Sequence, residues 1–308
     1  MKSQAMKKKT RHEPIIVANP SDLTRQEWLQ IRRTGLGGSD AGVALGLNPW
    51  CSPLQLYLEK KKDISLNPKS NAITIGNDLE PYVISQAQVL RPGYVERLSS
   101  LPMLKHPHHE FMLATPDSGA SSKKHGAGIV EAKTALSIYG AKAWSDRTAP
   151  AHYRAQCLHY MAVTDRRWCV IVCLAAGPVW HSEVILWDDD EISELIEAEE
   201  KLWSAIQNDD FSYLIDGSDS TKNALNLMHP EADEDLCELD LRGNRQAQQM
   251  LQQYVTSKRF EKAATEDKKE AENSLKKMLG DHEVAWCDGM KIQWKNTARG
   301  RRFTVKEG

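Results

Sequence analysis

The spacing of apolar positions changes several times along the chain, and each change marks a new element. Ser21 or Asp22 is placed to cap a helix carrying Trp28, Leu29 and Ile31, which the glycines of TGLGGSD then break. Short helices are predicted over Asp40 to Leu45 and from Pro53 to about Lys61, and a longer amphipathic one over Ile73 to Leu90. Between Gly93 and Lys133 the pattern becomes strand-like, in YVERLSSL, in FMLAT ending at Pro116-Asp117, and in GIVEAKT. Pro150 opens a helix through Met161, WCVIVCLA and VWHSEVILW make two strands parted by Gly177-Pro178, and Asp188 to Asn208 makes an acidic helix. Helices, antiparallel strands, crossover helix, strands and helix in that order predict an α/β fold, with a mixed central sheet flanked by helices.

The pattern also divides the chain into an expected flexible basic arm (1–20), a core (21–215), an acidic linker (216–240) and a C-terminal unit (241–308). In the last of these, Leu241 to Leu279 reads as one long exposed helix or a short coiled coil. EVAWC and MKIQW then flank Asp288-Gly289, the signature of a hairpin closed by a type I′ turn, with RRFTV as a third strand.

Composition changes this picture little: 308 residues, 41% hydrophobic and 27% charged, are ordinary for a globular chain with a sizeable core. Charge changes it more. Glu183 to Asp240 holds 19 acidic and 2 basic residues, so the net charge of -2 hides a strongly positive remainder able to meet a polyanion. The six cysteines show no CxxC pair or zinc-ligand spacing and read as reduced thiols. No apolar run reaches the roughly 20 residues that span a bilayer, and no apolar segment follows the basic N-terminus, so a cytoplasmic protein without a membrane partner is expected.

Candidate chemistry centres on GIVEAK. Glu131 and Lys133 are one residue apart, so the period of a strand puts both on one sheet face. Asp117 lies fourteen residues upstream, at the end of FMLAT in this reading. Carboxylates clustered at strand ends hold a hard cation, and an ammonium beside them orients or deprotonates water and meets the charge developing on a phosphorus centre. Asp117, Glu131 and the backbone carbonyl of Ala132 would thus hold Mg²⁺, with Mn²⁺ as a substitute and two ions expected. Glu80 adds a carboxylate from its helix. An isolated ExK is most often an exposed ion pair, but here the parts stand in the order of the PD-(D/E)xK nuclease pattern.

Together with RRTGLGGSDAGVALGLNPWCSPLQLYLEKK, IGNDLEPYV and PAHYRAQCLHYMAVT, these motifs resemble the YqaJ viral recombinase family, whose relatives include the exonuclease of phage lambda. The resemblance covers about residues 24 to 205. It implies a 5′ to 3′ exonuclease on double-stranded DNA, encoded by a phage or prophage in a bacterial host and resecting ends for recombination with a single-strand annealing protein. By motif, Asp117 and Glu131 become metal ligands, Lys133 the catalytic lysine, Glu80 the helix carboxylate, and Gln156 the glutamine that positions Lys133 or the water. Arg32 and Ser39 would hold a 5′-phosphate. The spacing of RRTGLGGS departs from the lambda enzyme by one residue on either side of the glycine, which makes Arg33 the alternative to Arg32. Relatives form rings, so a trimer is implied as well. Alternatives are an endonuclease on the same core or a catalytically idle DNA-binding adaptor. Tyr153 and Tyr160 flank Gln156 with packing as their simpler role, Gly37 and Gly38 read as a turn or a phosphate cradle, and His106, His108 and His109 read as a polar turn outside the site.

Overall fold

Thr24, rather than Ser21 or Asp22, starts the first α-helix. Its hydroxyl accepts from the Glu27 N–H at 3.3 Å while the Glu27 carboxylate accepts from the Thr24 N–H at 2.8 Å, a reciprocal cap that satisfies two backbone donors. Pro20–Asp22 forms a single 3-10 turn ahead of it. The structure is a computed structural model that describes residues 12–62, 64, 71–144, 148–232 and 238–307. It divides into two units after Pro230.

In chain order the first unit contains β1 (Ile15–Ala18), α1 (Arg25–Arg33), β2 (Leu36–Gly37), α2 (Gly38–Ala44), α3 (Pro53–Tyr57) and α4 (Asn71–Leu90). Then come β3 (Arg97–Ser99), β4 (Met103–Lys105), β5 (Met112–Ala114), β6 (Ser118–Ser122), β7 (Gly126–Ala135), α5 (Ile138–Lys142) and α6 (Ala151–Thr164). β8 (Trp168–Ala175), β9 (Val179–Leu186), α7 (Asp189–Gln207), α8 (Phe211–Leu214) and α9 (Asp219–Met228) complete it.

The central sheet runs β3-β6-β7-β8-β9, with β7 and β8 parallel and the other neighbours antiparallel, as the mixed-sheet expectation requires. On one face Val83 and Ala87 of α4 pack with Val130, Ala132, Val170 and Val172. On the other, Cys157 and Met161 of α6 pack with Ile129, Cys169 and Ile171. Alternation along β7 therefore turns Ile129, Glu131 and Lys133 toward α6 and leaves Val130 and Ala132 under α4.

Three boundaries differ from the sequence reading. FMLAT ends at Ala114 as β5, which belongs to a second sheet in the order β1-β4-β5-β2. Pro116, with no N–H to donate, lies in the break, and Asp117 stands immediately before β6 of the central sheet. Of the expected flexible arm, residues 1–11 lie outside the described residues, while Ile15–Ala18 pairs antiparallel with β4 and the His12 ring lies tilted 4.4 Å from that of His106. The acidic linker does not begin at 216. Asp216 accepts from the Ser218 N–H and hydroxyl at 3.0 and 2.6 Å, Ser218 in turn caps α9 by accepting from the Thr221 N–H at 3.1 Å, and Thr221 and Ala224 are buried, so this stretch orders the start of a core helix. Residues 233–237 lie outside the described residues.

The second unit holds α10 (Arg245–Leu279) and the antiparallel sheet β10 (Val284–Cys287), β11 (Met290–Thr297), β12 (Gly300–Glu307). Asp288 and Gly289 both have positive φ, 47° and 75°, as a type I′ turn demands. The predicted long helix, hairpin and third strand are all present.

Candidate active site

Asp117 and Glu131 meet because β6 and β7 are neighbours. The Ala132 N–H donates to Asp117 Oδ2 at 2.8 Å, which pins the aspartate across the strand boundary. Glu131 is buried, and its Oε1 accepts from Lys133 Nζ at 2.6 Å and from Gln156 Nε2 at 2.5 Å. The same Gln156 nitrogen lies 3.1 Å from the Tyr160 hydroxyl. Among the described residues no donor reaches the buried Glu131 Oε2, and its carboxyl faces that of Asp117, with which it can hydrogen-bond only when a proton lies between them. An orphaned carboxylate oxygen beside a second carboxylate is costly in a protein interior unless a proton or a cation occupies the space between them.

Electrostatics say the same. Burial, and then the neighbouring Asp117, pushes the Glu131 carboxyl up to about 8. Burial also raises Asp117, against the pull of Lys133. Burial opposes the charge on Lys133, yet Glu131 and Asp117 outweigh it and the ammonium is held above its ordinary range. An ammonium held this way suits the orientation of a water beside the carboxylates. The Tyr153 ring lies 5.1 Å from Lys133 Nζ and supports the cation with its π face.

Glu80 reaches the charges of this cluster from α4, feeling both Asp117 and Lys133. It belongs to α4, on the opposite face of the sheet from Glu131 and Lys133, half-buried and raised by burial and by the charge of Asp117. Among the described residues no group of three or more His, Cys, Asp or Glu forms a ready-made metal cage. The donors that fit a hard divalent cation are therefore the orphaned Glu131 oxygen and Asp117, both all-oxygen ligands. The Ala132 carbonyl belongs to the residue that pins Asp117.

A second cluster forms where α1 meets α2. Arg32 Nη2 donates to Ser39 Oγ at 3.0 Å and lies 3.7 Å from Asp40, with its guanidinium 4.9 Å from the Trp28 ring centre. Of the two arginines offered by the sequence, Arg32 is the one hydrogen-bonded to Ser39. Gly38 joins the two clusters: a Cβ there would sit 2.5 Å from the Tyr160 ring and 3.1 Å from Gln156. The start of α2 can approach α6 this closely only without a side chain.

The model of the YqaJ-like viral recombinase domain matches residues 27–167. The uncharacterized protein YqaJ of Bacillus subtilis (strain 168) is 30% identical over 295 residues, covering 94% of this chain and 89% of the relative. The chain belongs to the YqaJ-like viral recombinase family. Among solved structures, LHK-Exo in complex with dAMP is similar with a TM-score of 0.50 at 17% identity, over 60% of this chain and 93% of that one. The same exonuclease, described as an alkaline exonuclease from Laribacter hongkongensis, matches with a TM-score of 0.49 at 17% identity. At such identity the likeness speaks for the fold.

Within this YqaJ-like core, sequence reasoning missed what carries Arg32. Lys60, nearly buried, bonds Asp40 at 2.7 Å and the Arg32 carbonyl at 2.9 Å. Although burial opposes its charge, Lys60 and Arg32 bring the Asp40 carboxyl down to about 2. Asp40 also accepts from the Gly37 N–H at 2.8 Å, so that donor is committed and does not face a ligand. The only sequence signal was an aspartate after Ser39 and a lysine run at 60–62, neither distinctive. His106, His108 and His109 form a turn: His106 Nδ1 accepts from the N–H groups of His108 and His109 at 3.1 and 3.0 Å, and burial pushes His106 down to about 3.

Proposed function

We propose that this chain is a divalent-metal-dependent exonuclease that digests one strand of double-stranded DNA from its 5′ end and so prepares ends for single-strand annealing. The observation that carries the reading is the buried, unpartnered Glu131 Oε2 beside Asp117, with Lys133 and Gln156 both fixed on the other oxygen of the same carboxylate. Asp117, Glu131 and the Ala132 carbonyl would hold Mg²⁺ or Mn²⁺, with Glu80 contributing to a second ion. A cation bound there supplies Lewis acidity and a water acidified enough to attack.

The remaining roles fall to the chain. Gln156 holds Glu131 Oε1 and thereby leaves Oε2 facing the ion site. Lys133 keeps its proton and meets the charge that builds on the phosphoryl oxygens, where a preorganised cation acts most strongly in the transition state. Arg32 and Ser39, next to Gly38 and hence to Gln156, receive a terminal phosphate, which the planar guanidinium binds through parallel hydrogen bonds. Family membership and the fold of known exonucleases support the nuclease reading. A trimeric ring and a single-strand annealing protein as partner belong to the same proposal, as does action inside a bacterial host.

Digestion of linear against covalently closed circular duplex, with Mg²⁺ or with EDTA, tests it. Loss of the linear substrate alone, and only with Mg²⁺, is expected. Cutting of the circle would make the enzyme an endonuclease, and no cutting of either would leave an idle DNA-binding adaptor.

A further inference from the structure

None of the site residues described above belongs to the C-terminal unit, and one face of its sheet has an unusual charge pattern. Residues 290–307 carry Lys291, Lys295, Arg299, Arg301, Arg302 and Lys306 against a single acid, Glu307. Strand register sorts them. Ile292 pairs with Val305, Trp294 with Phe303 and Asn296 with Arg301, and this face packs on the end of α10: Ile292 is buried, and Lys276 lies 5.9 and 5.6 Å from the Trp294 and Phe303 rings. Arg301 belongs to this packed face, stacked 3.7 Å over Trp294 and bonded to the Gly280 carbonyl at 2.8 Å.

The opposite face is different. There Lys291 pairs directly with Lys306, and Lys295 directly with Arg302. Trp286 pairs with Lys291, whose ammonium lies 5.0 Å from its ring, and the indole is 61% exposed. None of the four cations forms an ion pair with a described residue. Like charges directly opposite on neighbouring strands destabilise a sheet, and a face built only for solvation intersperses both signs. Two such pairs in one short sheet cost stability that a bound polyanion would return. An exposed indole beside them adds a stacking surface, and an indole can stack only on a base that is not already stacked within a duplex.

From the paired cations and the exposed indole we infer that this face is a single-stranded DNA-binding surface, in which Lys291, Lys295, Arg302 and Lys306 follow the phosphates and Trp286 stacks one base. The inference stands on the second unit alone and does not require the catalytic reading.

Fluorescence anisotropy of the full chain with labelled oligothymidylate, in EDTA and over a range of NaCl, separates it from hydrolysis. Each phosphate contact contributes about 0.7 to the slope of log affinity on log salt for single strands. The Lys295→Gln/Arg302→Gln variant should therefore lose about 1.4 of that slope. Trp286→Ala should weaken binding by roughly fivefold to a hundredfold, and Trp286→Phe, which keeps a π face, should retain most of it. Lys306→Gln, on the edge strand, gives an independent loss of about 0.7 in slope. Duplex digestion in Mg²⁺ by these variants, on short blunt substrates, should be unchanged. Slopes and affinities equal to wild type in every variant would overturn the inference. So would losses as large on blunt duplex as on oligothymidylate, because the indole would then not be reading an unpaired base.

Discussion

The proton on Glu131 is the residue-scale feature with the plainest consequence. A carboxyl pushed up to about 8 by burial, and then by Asp117, carries its proton at neutral pH when no cation is bound. A divalent cation needs the ionised form, so binding displaces that proton. Metal affinity should climb as pH rises toward about 8 and level off above it, with protons released below that pH. Calorimetric titration of Mn²⁺ in two buffers of different ionisation enthalpy reads the release directly, and identical apparent enthalpies at pH 7 would show that no proton leaves. Arg32 gives a second prediction at this scale. Because it, rather than Arg33, bonds Ser39 at 3.0 Å, Arg32→Ala should erase most of the preference for 5′-phosphorylated over 5′-hydroxyl ends, while Arg33→Ala should preserve it. Equal rate ratios in wild type and both variants would move the anchor elsewhere.

Between elements, one polar link is entirely buried. His159 on α6 donates to Glu199 of α7 at 2.7 Å and to the Leu113 carbonyl of β5 at 2.9 Å, and both side chains are fully inaccessible. A carboxylate and a carbonyl facing the two ring nitrogens favour the protonated imidazole. Burial disfavours that charge, but Glu199 more than restores it and His159 is raised. A raised histidine contributes stability that is complete below its unfolded value and is lost as pH rises through the folded one. Thermal unfolding midpoints should therefore fall on the alkaline side. Replacing His159 alone by Leu should cost about 3–5 kcal/mol, since it strands a buried carboxylate, and His159→Leu/Glu199→Leu should be less destabilised than that single variant. A double variant at least as unstable as the sum of the singles would deny the coupling. At this same scale, sequence legibility was uneven. Periodicity located α4, α6, α7 and α10 and the hairpin because each has many residues in register with its own pattern. It misplaced Asp117, since the break at Pro116 joins two sheets that a continuous apolar run cannot distinguish. It also missed α9, whose start resembles a linker until Ser218 is seen capping it with Asp216 holding the turn before.

For the whole molecule, the charge asymmetry read from sequence has a definite place: many acids of the negative stretch lie on α7 and around α9. No helix among the described residues is long and apolar enough to cross a membrane. The motif reading put Asp117, Glu131, Lys133 and Gln156 together, and hydrogen bonds link them in the structure, because strand alternation and helix spacing are local rules. The central claim is that these residues hydrolyse phosphodiester bonds through a cation held by Asp117 and Glu131. Single-turnover digestion of a 5′-phosphorylated duplex in Mg²⁺ by Asp117→Ala, with circular dichroism to verify the fold, tests it most directly. Removing one of two carboxylate donors should reduce the rate by at least about a thousandfold with secondary structure unchanged. A folded Asp117→Ala protein that keeps a tenth or more of the wild-type rate would contradict the account.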